Sequence, residues 1–251
     1  MNSRVLCQIV IPARFDSTRL PGKALLPVAG KPILQHVWER ACKAKLGPTP
    51  ILATDDERIA TAARGFGAPV VLTAKSHSCG SERVAEVAAS LAAPVVINLQ
   101  GDEILIEPAA LAALPALFSD SSVQMATLVA PLYDHTRLDD PALVKAVLDD
   151  RGNVLYFSRS PIPYPAQANA ARTHHTWYGH IGVYAFRREV LIDIYHRPQS
   201  TLERVEGLEQ LRALQAGIDI RALICERAHF GVNTLEDLEH LRRILEQRAM
   251  P

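Results

Sequence analysis

The sequence predicts an α/β protein built on a doubly wound, mostly parallel sheet with a small antiparallel excursion. Apolar runs of strand length alternate with helical patterns over residues 5–99, which is the order typical of such a sheet. Residues 94–99 are apolar apart from Asn98, as expected for a central parallel strand buried on both faces. The chain has 251 residues, 48% of them hydrophobic, and we expect one domain over residues 1–251.

Charge and cysteine content narrow the classes of partner. Lysine plus arginine and aspartate plus glutamate each number 27, so no net charge favours nucleic acid or an acidic membrane surface. The 4 cysteines form no C-x-x-C pair and no metal-ligand spacing, which favours a reducing compartment. No stretch reaches the roughly 18 apolar residues of a membrane span, and residues 5–12 lack the pattern of a signal peptide. We expect a cytoplasmic protein without membrane or nucleic-acid partners.

The first strand leads into a basic loop. An apolar run over residues 5–12 is followed by Arg14, Arg19 and Lys23, and Pro21-Gly22 sets a turn just before the lysine. A buried strand that delivers cations and loop amides to a sheet edge is suited to holding a polyphosphate. A solvated basic loop is the alternative, and the pattern alone leaves both open.

The elements that follow alternate regularly. From residue 33, apolar side chains recur at helical spacing, and this helix is expected to end near Gly47-Pro48. Further strands are predicted over residues 50–54, 70–73 and 94–99, with helices over residues 58–66 and 82–91 between them.

An acid stands where the central strand ends. Asp102 belongs to the segment Gln100-Gly-Asp-Glu103, and open α/β sheets bind ligands beyond the carboxyl ends of their strands. A carboxylate there is suited to a divalent cation that bridges phosphate oxygens. The alternative is an Asx turn or a cap for a helix beginning near Pro108, and position alone does not separate the two.

The second half of the chain predicts the antiparallel excursion and the closing elements. Strands are expected over residues 124–132 and 179–186, with a hairpin of residues 144–148 and 154–157 between them. Three prolines make residues 160–165 irregular, and residues 166–175 are a small, polar connection. A long amphipathic helix over residues 202–217 precedes a strand over 218–225. Thr234 and Asp237 form a capping box for a closing helix with the leucine stripe Leu235, Leu238, Leu241 and Leu245.

Several common catalytic signatures are missing. No G-x-G-x-x-G follows the first strand, and a Walker-type phosphate loop is also absent. Neither G-x-S-x-G nor H-E-x-x-H occurs. Dinucleotide-dependent hydride transfer, P-loop phosphoryl transfer and serine hydrolysis therefore lose their usual markers.

Seven segments, spread over nearly the whole chain, resemble the 3-deoxy-manno-octulosonate cytidylyltransferases, also called CMP-Kdo synthetases. The first segment alone also suits cytidylyltransferases for other acidic sugars, such as sialic acid, whereas the later ones are similar to the Kdo branch. The segments are Ile11-Pro-Ala-Arg-Phe-Asp-Ser-Thr-Arg-Leu-Pro-Gly-Lys23, Ala53-Thr-Asp-Asp56, Ile97-Asn-Leu-Gln-Gly-Asp-Glu103, Leu155-Tyr-Phe-Ser-Arg159, His180-Ile-Gly-Val-Tyr184, Leu208-Glu-Gln-Leu-Arg212 and Gly231-Val-Asn-Thr-Leu-Glu-Asp-Leu238.

The resemblance implies a Rossmann-like nucleotidyltransferase fold and a magnesium-dependent reaction. The anomeric hydroxyl of Kdo would attack the α-phosphate of CTP in line, giving CMP-Kdo for lipopolysaccharide biosynthesis and releasing pyrophosphate. Negative charge builds on phosphate oxygens in such a transition state, so positioned cations supply the stabilisation. The family also implies a homodimer formed through an excursion within residues 123–186, which contributes to the sugar site.

The resemblance also assigns roles to individual residues. The catalytic residues it implies are Arg14, Lys23 and Asp102, and the Mg²⁺ ligands are Asp102 and Asn233. The CTP-binding residues it implies are Ala13, Arg14, Ser17, Arg19, Lys23, Cys79, Gly80, Arg83 and Gln100. The sugar-binding residues it implies are Gln100, Arg159, His180, Tyr184, Glu209 and Gln210. Without the resemblance, His180 and Tyr184 would be interpreted as packed strand residues with satisfied hydrogen bonds.

Three positions depart from the family pattern. Asn233 stands where the family has a metal-binding aspartate, and an amide oxygen brings no negative charge to Mg²⁺. Cys79 replaces a serine in the base-side loop, which exchanges a hydroxyl for a weak hydrogen-bonding thiol. Ile104 replaces a proline, a local packing change. These departures leave two alternative functions open: a cytidylyltransferase for a modified Kdo or another acidic sugar, and a catalytically impaired nucleotide-binding paralogue.

Overall fold

The structure is a computed structural model that describes residues 5–16, 20–133, 135–164, 177–226, 231, 237–239 and 241–243, with the backbone alone at residue 135. Within these residues the main sheet has nine strands, and two short strands form a separate pair. The strands are β1 (Cys7–Ala13), β2 (Pro27–Val28), β3 (Lys31–Pro32), β4 (Ile51–Thr54), β5 (Val70–Leu72), β6 (Val95–Leu99), β7 (Met125–Leu132), β8 (Lys145–Leu148), β9 (Val154–Ser158), β10 (Trp177–Arg187) and β11 (Ile220–Ile224).

The parallel part of the sheet carries the first half of the chain. β1 lies between β6 and β4, and β5 pairs with the far side of β4, all in parallel. All seven residues of β1 and all five of β6 are buried, as expected for strands covered on both faces. The helices that follow these strands are α1 (Ile33–Lys43), α2 (Glu57–Gly65), α3 (Gly80–Ala88) and α4 (Pro108–Ala113). The strand and helix alternation predicted for residues 5–99 is confirmed.

The antiparallel part begins at β10. This strand runs antiparallel to β6 on one side and to β7 on the other, so β6 has one parallel and one antiparallel neighbour. β8 pairs with β10 and with β9, which gives the predicted hairpin, and β11 is parallel to β7. The fold class is therefore confirmed, with the order β11-β7-β10-β6-β1-β4-β5 along the sheet.

One predicted helix is wrong. Residues 202–217 do not form one long helix but two short ones, α6 (Thr201–Glu206) and α7 (Leu211–Gln215). Gly207 ends α6 with φ of 63°, a left-handed conformation that a helix cannot continue through. Val205, which one continuous helix would place on its apolar face with Leu202 and Leu208, is 77% exposed. The break matters because it turns residues 207–210 towards the end of the sheet that carries the candidate site. A helix that the sequence analysis did not predict, α5 (Arg188–His196), follows β10.

Two apolar clusters lie on the two faces of the sheet and hold it between helices. One joins β1 and β6 to α1 and α4, and the other joins β10 and β7 to α3, α5 and α7. Residues 237–239 and 241–243 are helical, and Leu238 and Leu241 are buried in the first cluster, as their stripe predicts. Thr234, Leu235, Leu245 and residues 166–175 lie outside the described residues. In the part of the chain that is described, no helix has the length and apolar character needed to cross a membrane.

Candidate active site

A cavity of about 480 Å³ opens at the carboxyl ends of β1 and β6. Ala13 and Arg14 border it where β1 ends, and Gln100 borders it where β6 ends. Cys79, Gly80 and Arg83 line it from the N-terminal end of α3, and Glu209 lines it from the turn between α6 and α7. Parallel strands place their carboxyl ends at one edge of a sheet, which is the usual ligand position in such folds.

Glu209 binds the first turn of α3. Cys79 is the residue that caps this helix, but its side chain makes no capping hydrogen bond. The Ser81 amide donates to Glu209 Oε2 at 3.0 Å instead, and the Ser81 hydroxyl donates to Oε1 at 3.0 Å. A carboxylate at a helix N-terminus satisfies an amide that has no partner within the helix and interacts favourably with the helix dipole. The base-side loop is therefore held by a residue distant in sequence.

Gln100 joins the same network. Its Nε2 donates to Glu209 Oε1 at 2.9 Å, and Asn98 Nδ2 donates to the Ser81 hydroxyl at 2.8 Å. A Cβ on Gly80 would stand 3.0 Å from Gln100 Nε2, so a larger residue here would push this amide away from its present position. Loss of solvent raises the pKa of Glu209, although hydrogen bonds from Ser81 and Cys79 act in the opposite direction. Burial also raises the pKa of the Cys79 thiol, and Glu209 raises it further.

Arg83 is held rigidly against the cavity wall. It is only 4% exposed, and its Nη2 lies 3.2 Å from Asp55 Oδ2 at the end of β4. Its Nη1 donates to the Thr73 hydroxyl and to the Ala74 carbonyl, the latter at 3.4 Å. Pairing with a carboxylate allows a guanidinium to be buried. The arginine therefore presents a fixed planar donor beside α3.

Lys23 and Asp102 pair across the sheet edge. The Lys23 Nζ lies 2.6 Å from Asp102 Oδ2, which connects the loop after β1 to the turn after β6. Gly22, with φ of 68°, sets the lysine at the start of a short 3-10 turn, as Pro21-Gly22 predicted. A Cβ on Gly231 would stand 3.2 Å from Asp102 Cγ, so the chain returns to this carboxylate near its end. A group of three or more possible metal-binding side chains is not found among the described residues.

His180 and Tyr184 lie in β10 and are buried. Their rings stack with centroids 5.2 Å apart. His180 Nε2 is 3.0 Å from the Thr127 hydroxyl, and the Tyr184 hydroxyl donates to Gln210 Oε1 at 3.0 Å. Burial lowers the pKa of His180 to about 3, so the ring is neutral near pH 7. Gln210 Nε2 is buried and finds no hydrogen-bond partner within the described part of the chain.

Arg159 holds three loops together. Its Nε donates to the Glu206 carbonyl at 2.8 Å, and its Nη2 donates to the Gly207 carbonyl at 3.2 Å. Its Nη1 donates to the Pro141 carbonyl at 2.8 Å. The fully buried Lys145 donates in turn to the Arg159 carbonyl. The guanidinium is therefore fixed at the break between α6 and α7.

The residues implied by the family resemblance fall into four groups. Those brought together around the cavity are Ala13, Arg14, Cys79, Gly80, Arg83, Gln100 and Glu209. Lys23 and Asp102 form a pair at the same edge of the sheet, whereas Arg159, His180, Tyr184 and Gln210 do not line the cavity formed by the described residues. Ser17, Arg19 and Asn233 lie outside the described residues.

Sequence reasoning missed several residues of this site. Asp55 could have been predicted as a site residue, because it directly follows β4, which is parallel to β1 and ends at the same edge of the sheet. Ser78 and Gln199 could not have been predicted, because they meet only in the folded protein. The Gln199 amide donates to the Ser78 hydroxyl at 3.0 Å, although the two residues are distant in sequence. Both line the rim of the cavity. Glu103 was predicted only as one residue of a family motif, without a role of its own. It is buried in the turn after β6 and accepts a hydrogen bond from β10.

Comparisons with known proteins agree with this geometry. A family profile described as Cytidylyltransferase matches residues 8–220. Similar proteins include the 3-deoxy-manno-octulosonate cytidylyltransferases of Solibacter usitatus, 46% identical over 94% of this chain and 93% of that protein, and of Chlorobaculum tepidum, 46% identical over 96% and 97%.

Solved structures give the same relationship. One described as CMP:2-keto-3-deoxy-manno-octonic acid synthetase complexed with CTP matches with a TM-score of 0.88 at 40% identity, over 96% of this chain and 99% of that one. A cytidylyltransferase from Leptospira borgpetersenii, 18% identical with a TM-score of 0.65 over 96% of this chain and 87% of its own, shares the fold. The chain therefore belongs to the cytidylyltransferases, and within them to the 3-deoxy-manno-octulosonate cytidylyltransferase family.

Proposed function

We propose that this protein transfers CMP from CTP to Kdo, giving CMP-Kdo and pyrophosphate for lipopolysaccharide biosynthesis. The observation that carries the proposal is that the loop after β1, the N-terminal end of α3 and Gln100 all border one cavity. Its support from relatives is the 40% identity to a synthetase structure that contains CTP. Family membership and this convergence point to the same reaction.

The described side chains support a division of roles. Arg14, exposed at the cavity, and Lys23 would bind the triphosphate through charge-assisted hydrogen bonds. The N-terminal turn of α3, with Gly80 and Arg83, would bind the cytidine. Lys23 and Arg83 are held by Asp102 and Asp55 in the structure, and preorganised donors stabilise charge that develops on phosphate oxygens. The sugar would bind near Gln100 and Glu209, with Gln210 Nε2 available as a buried donor.

The family implies Mg²⁺, and Asp102 has the donor chemistry to hold it. Its carboxylate is an oxygen ligand of the type Mg²⁺ prefers, and Lys23 balances its charge in the structure. We propose Asn233 as the second protein ligand, since Gly231, two residues before it, lies against Asp102. When bound, the ion supplies positive charge to the phosphate oxygens. The homodimer stays a prediction of the resemblance, and the cytoplasmic location stays a prediction of the amino-acid composition.

The test is pyrophosphate release from CTP and Kdo at several Mg²⁺ concentrations, with the Asn233→Asp variant alongside. Turnover by the wild type supports the proposed function, and a lower Mg²⁺ requirement in the variant would place the ion at position 233. Turnover by the variant alone would identify the natural chain as an impaired paralogue. If both are inert with Kdo, the Kdo assignment is wrong, and a panel of other acidic 2-keto-3-deoxy sugars then identifies the acceptor.

A further inference from the structure

Glu103 is a buried carboxyl group with no role in the proposed chemistry. It is 5% exposed, whereas the side chain of its neighbour Asp102 is 22% exposed and pairs with Lys23. A buried carboxyl group is costly unless hydrogen bonds satisfy it. Glu103 therefore needs a hydrogen-bond partner inside the protein.

The partner of Glu103 is the backbone of β10. Gly182 N donates to Glu103 Oε1 at 2.8 Å, and the carbonyl of the same Gly182 accepts from Gln100 N at 3.0 Å. A Cβ at position 182 would stand 2.7 Å from Glu103 Oε1 and 3.2 Å from Gln100 Cγ. The turn after β6 and the middle of β10 are therefore joined by two hydrogen bonds, at a contact so close that a side chain at position 182 would displace the Glu103 carboxyl group.

Gly182 lies where β10 is irregular. Ile181 pairs with Leu128 of β7, but the next pair is Tyr184 with Thr127, so two residues of β10 face a single step of β7. A bulge of this kind leaves backbone groups without ladder partners and bends the strand. Glu103 supplies the acceptor that the Gly182 amide would otherwise lack.

The bulge explains how two implied sugar-binding residues meet. On a regular strand, the Cα atoms of residues four apart are separated by about 13 Å, at roughly 3.3 Å per residue. His180 and Tyr184 nevertheless stack with ring centroids 5.2 Å apart. Their rings approach because the strand bends between them, at the position that Glu103 binds.

We infer that Glu103 is a positioning residue that holds the turn bearing Gln100 and Asp102 against the bulge of β10, and so aligns the triphosphate end of the site with the sugar end. The inference rests on the proposed function for its kinetic readout. Its structural readout, the environment of the His180 ring, does not depend on which substrate is used.

The test compares Glu103→Leu, which removes the acceptor, with Glu103→Gln, whose amide oxygen can still accept from Gly182. For Glu103→Leu we expect kcat/KM for Kdo to fall about 100-fold, the Kd for CTP to stay unchanged and the NMR signal of the His180 ring to move. Glu103→Gln should restore most of the activity and the signal. Glu107→Leu, which removes a half-exposed carboxylate from the same segment, is the matched control.

A wild-type His180 signal in Glu103→Leu, or equal losses in CTP and Kdo binding, would overturn the inference. If Glu103→Leu does not fold, Gly182→Ala takes its place, since the added methyl group would displace the same carboxylate. A wild type that fails to use CTP and Kdo contradicts the proposed function alone, because the NMR comparison still tests the positioning role.

Discussion

The Lys23 ammonium group lies 2.6 Å from the Asp102 carboxylate, so the basic loop after β1 is connected to the acid after β6 before any substrate binds. Both side chains are partly buried, at 18% and 22% exposure, so water screens the pair only in part. The two residues were predicted separately from sequence, one as part of an anion site and the other as a metal ligand. If Lys23 binds the triphosphate, as proposed, it exchanges part of its contact with Asp102 for a contact with the substrate.

We therefore predict opposite effects of Asp102→Asn on binding and on turnover. Without Mg²⁺, the variant should bind CTP several-fold more tightly, because the ion pair that holds Lys23 against Asp102 and a negative charge near the triphosphate are both gone. With Mg²⁺, pyrophosphate release should fall by about 100-fold or more. Calorimetry in chelator and a pyrophosphate assay measure the two effects.

The control for the lysine is Lys31→Met, because Lys31 pairs with Glu39 at 2.8 Å but is 44% exposed on another surface. Lys23→Met should weaken CTP binding, and Lys31→Met should leave it unchanged. Equal effects of the two lysine variants would contradict a specific role for Lys23.

Cys79 provides the second prediction. Since Glu209 already accepts from the Ser81 amide and hydroxyl, Cys79→Ser adds a capping group to a helix end that has one. The free energy of unfolding should rise by at most about 1 kcal/mol, and the preference for CTP over UTP should not change. Nucleotide competition assays and denaturant unfolding measure these quantities.

The contrasting variant is Glu209→Gln, which leaves one acceptor oxygen for the Ser81 amide and hydroxyl, the Gln100 amide and the Cys79 thiol. It should weaken CTP binding at least tenfold, by about 1.4 kcal/mol or more, through loss of order in the first turn of α3. A strong selectivity change in Cys79→Ser together with a silent Glu209→Gln would reverse this interpretation.

Arg212 provides the third prediction. Its guanidinium is 2% exposed and lies 2.7 Å from Glu203 Oε1 and 2.8 Å from Glu82 Oε1. Arg212→Met should lower the free energy of unfolding by about 3–5 kcal/mol, because two carboxylates lose their buried partner. Adding Glu203→Gln to this variant should recover part of the loss, since the unpaired charge is removed.

The matched control is Arg64→Met, which breaks an exposed ion pair with Glu57 at 3.3 Å. Its effect on unfolding should stay within about 0.5 kcal/mol. Denaturant unfolding gives the free energy of unfolding of all three variants. Similar decreases for Arg212→Met and Arg64→Met would show that the burial of Arg212 with Glu82 and Glu203 contributes nothing to stability.

Part of the fold and of the candidate site could be predicted from the sequence. Strands such as β1 and β6 were predictable because burial on both faces leaves continuous apolar runs. The cavity-lining residues Arg14 and Gln100 follow directly from the ends of those strands. Local pattern was sufficient wherever a site residue comes just after a strongly apolar strand.

The remaining parts depend on contacts between distant segments. The break at Gly207 was missed because the leucine spacing continues through it, and the glycine's left-handed conformation has no signature in apolar spacing. The contact of Glu103 with Gly182 was missed because the bulge in β10 depends on its register with β7. Such contacts become visible only when the sheet order is known.

The last prediction concerns His180 and pH. Burial lowers the pKa of this histidine from 6.5 to about 3 in the folded protein. Between these values the unfolded chain binds a proton that the folded protein excludes, so stability present above pH 6.5 is lost as the pH falls below it. By about pH 5 the loss should reach about 2 kcal/mol. His180→Phe has no such proton, so its free energy of unfolding should approach or exceed that of the wild type as the pH falls.

The comparison with His180→Phe is needed because other buried groups titrate in the opposite direction. Burial raises the pKa of Glu103 to about 8, and loss of solvent raises that of Glu209, so both favour the folded state as the pH falls towards their usual range. These contributions are shared by the two proteins and largely cancel in the difference. Denaturant unfolding at about pH 8 and about pH 5 gives that difference. A pH-independent difference would mean that the His180 ring takes up a proton in the folded state, contrary to its neutral contact with Thr127.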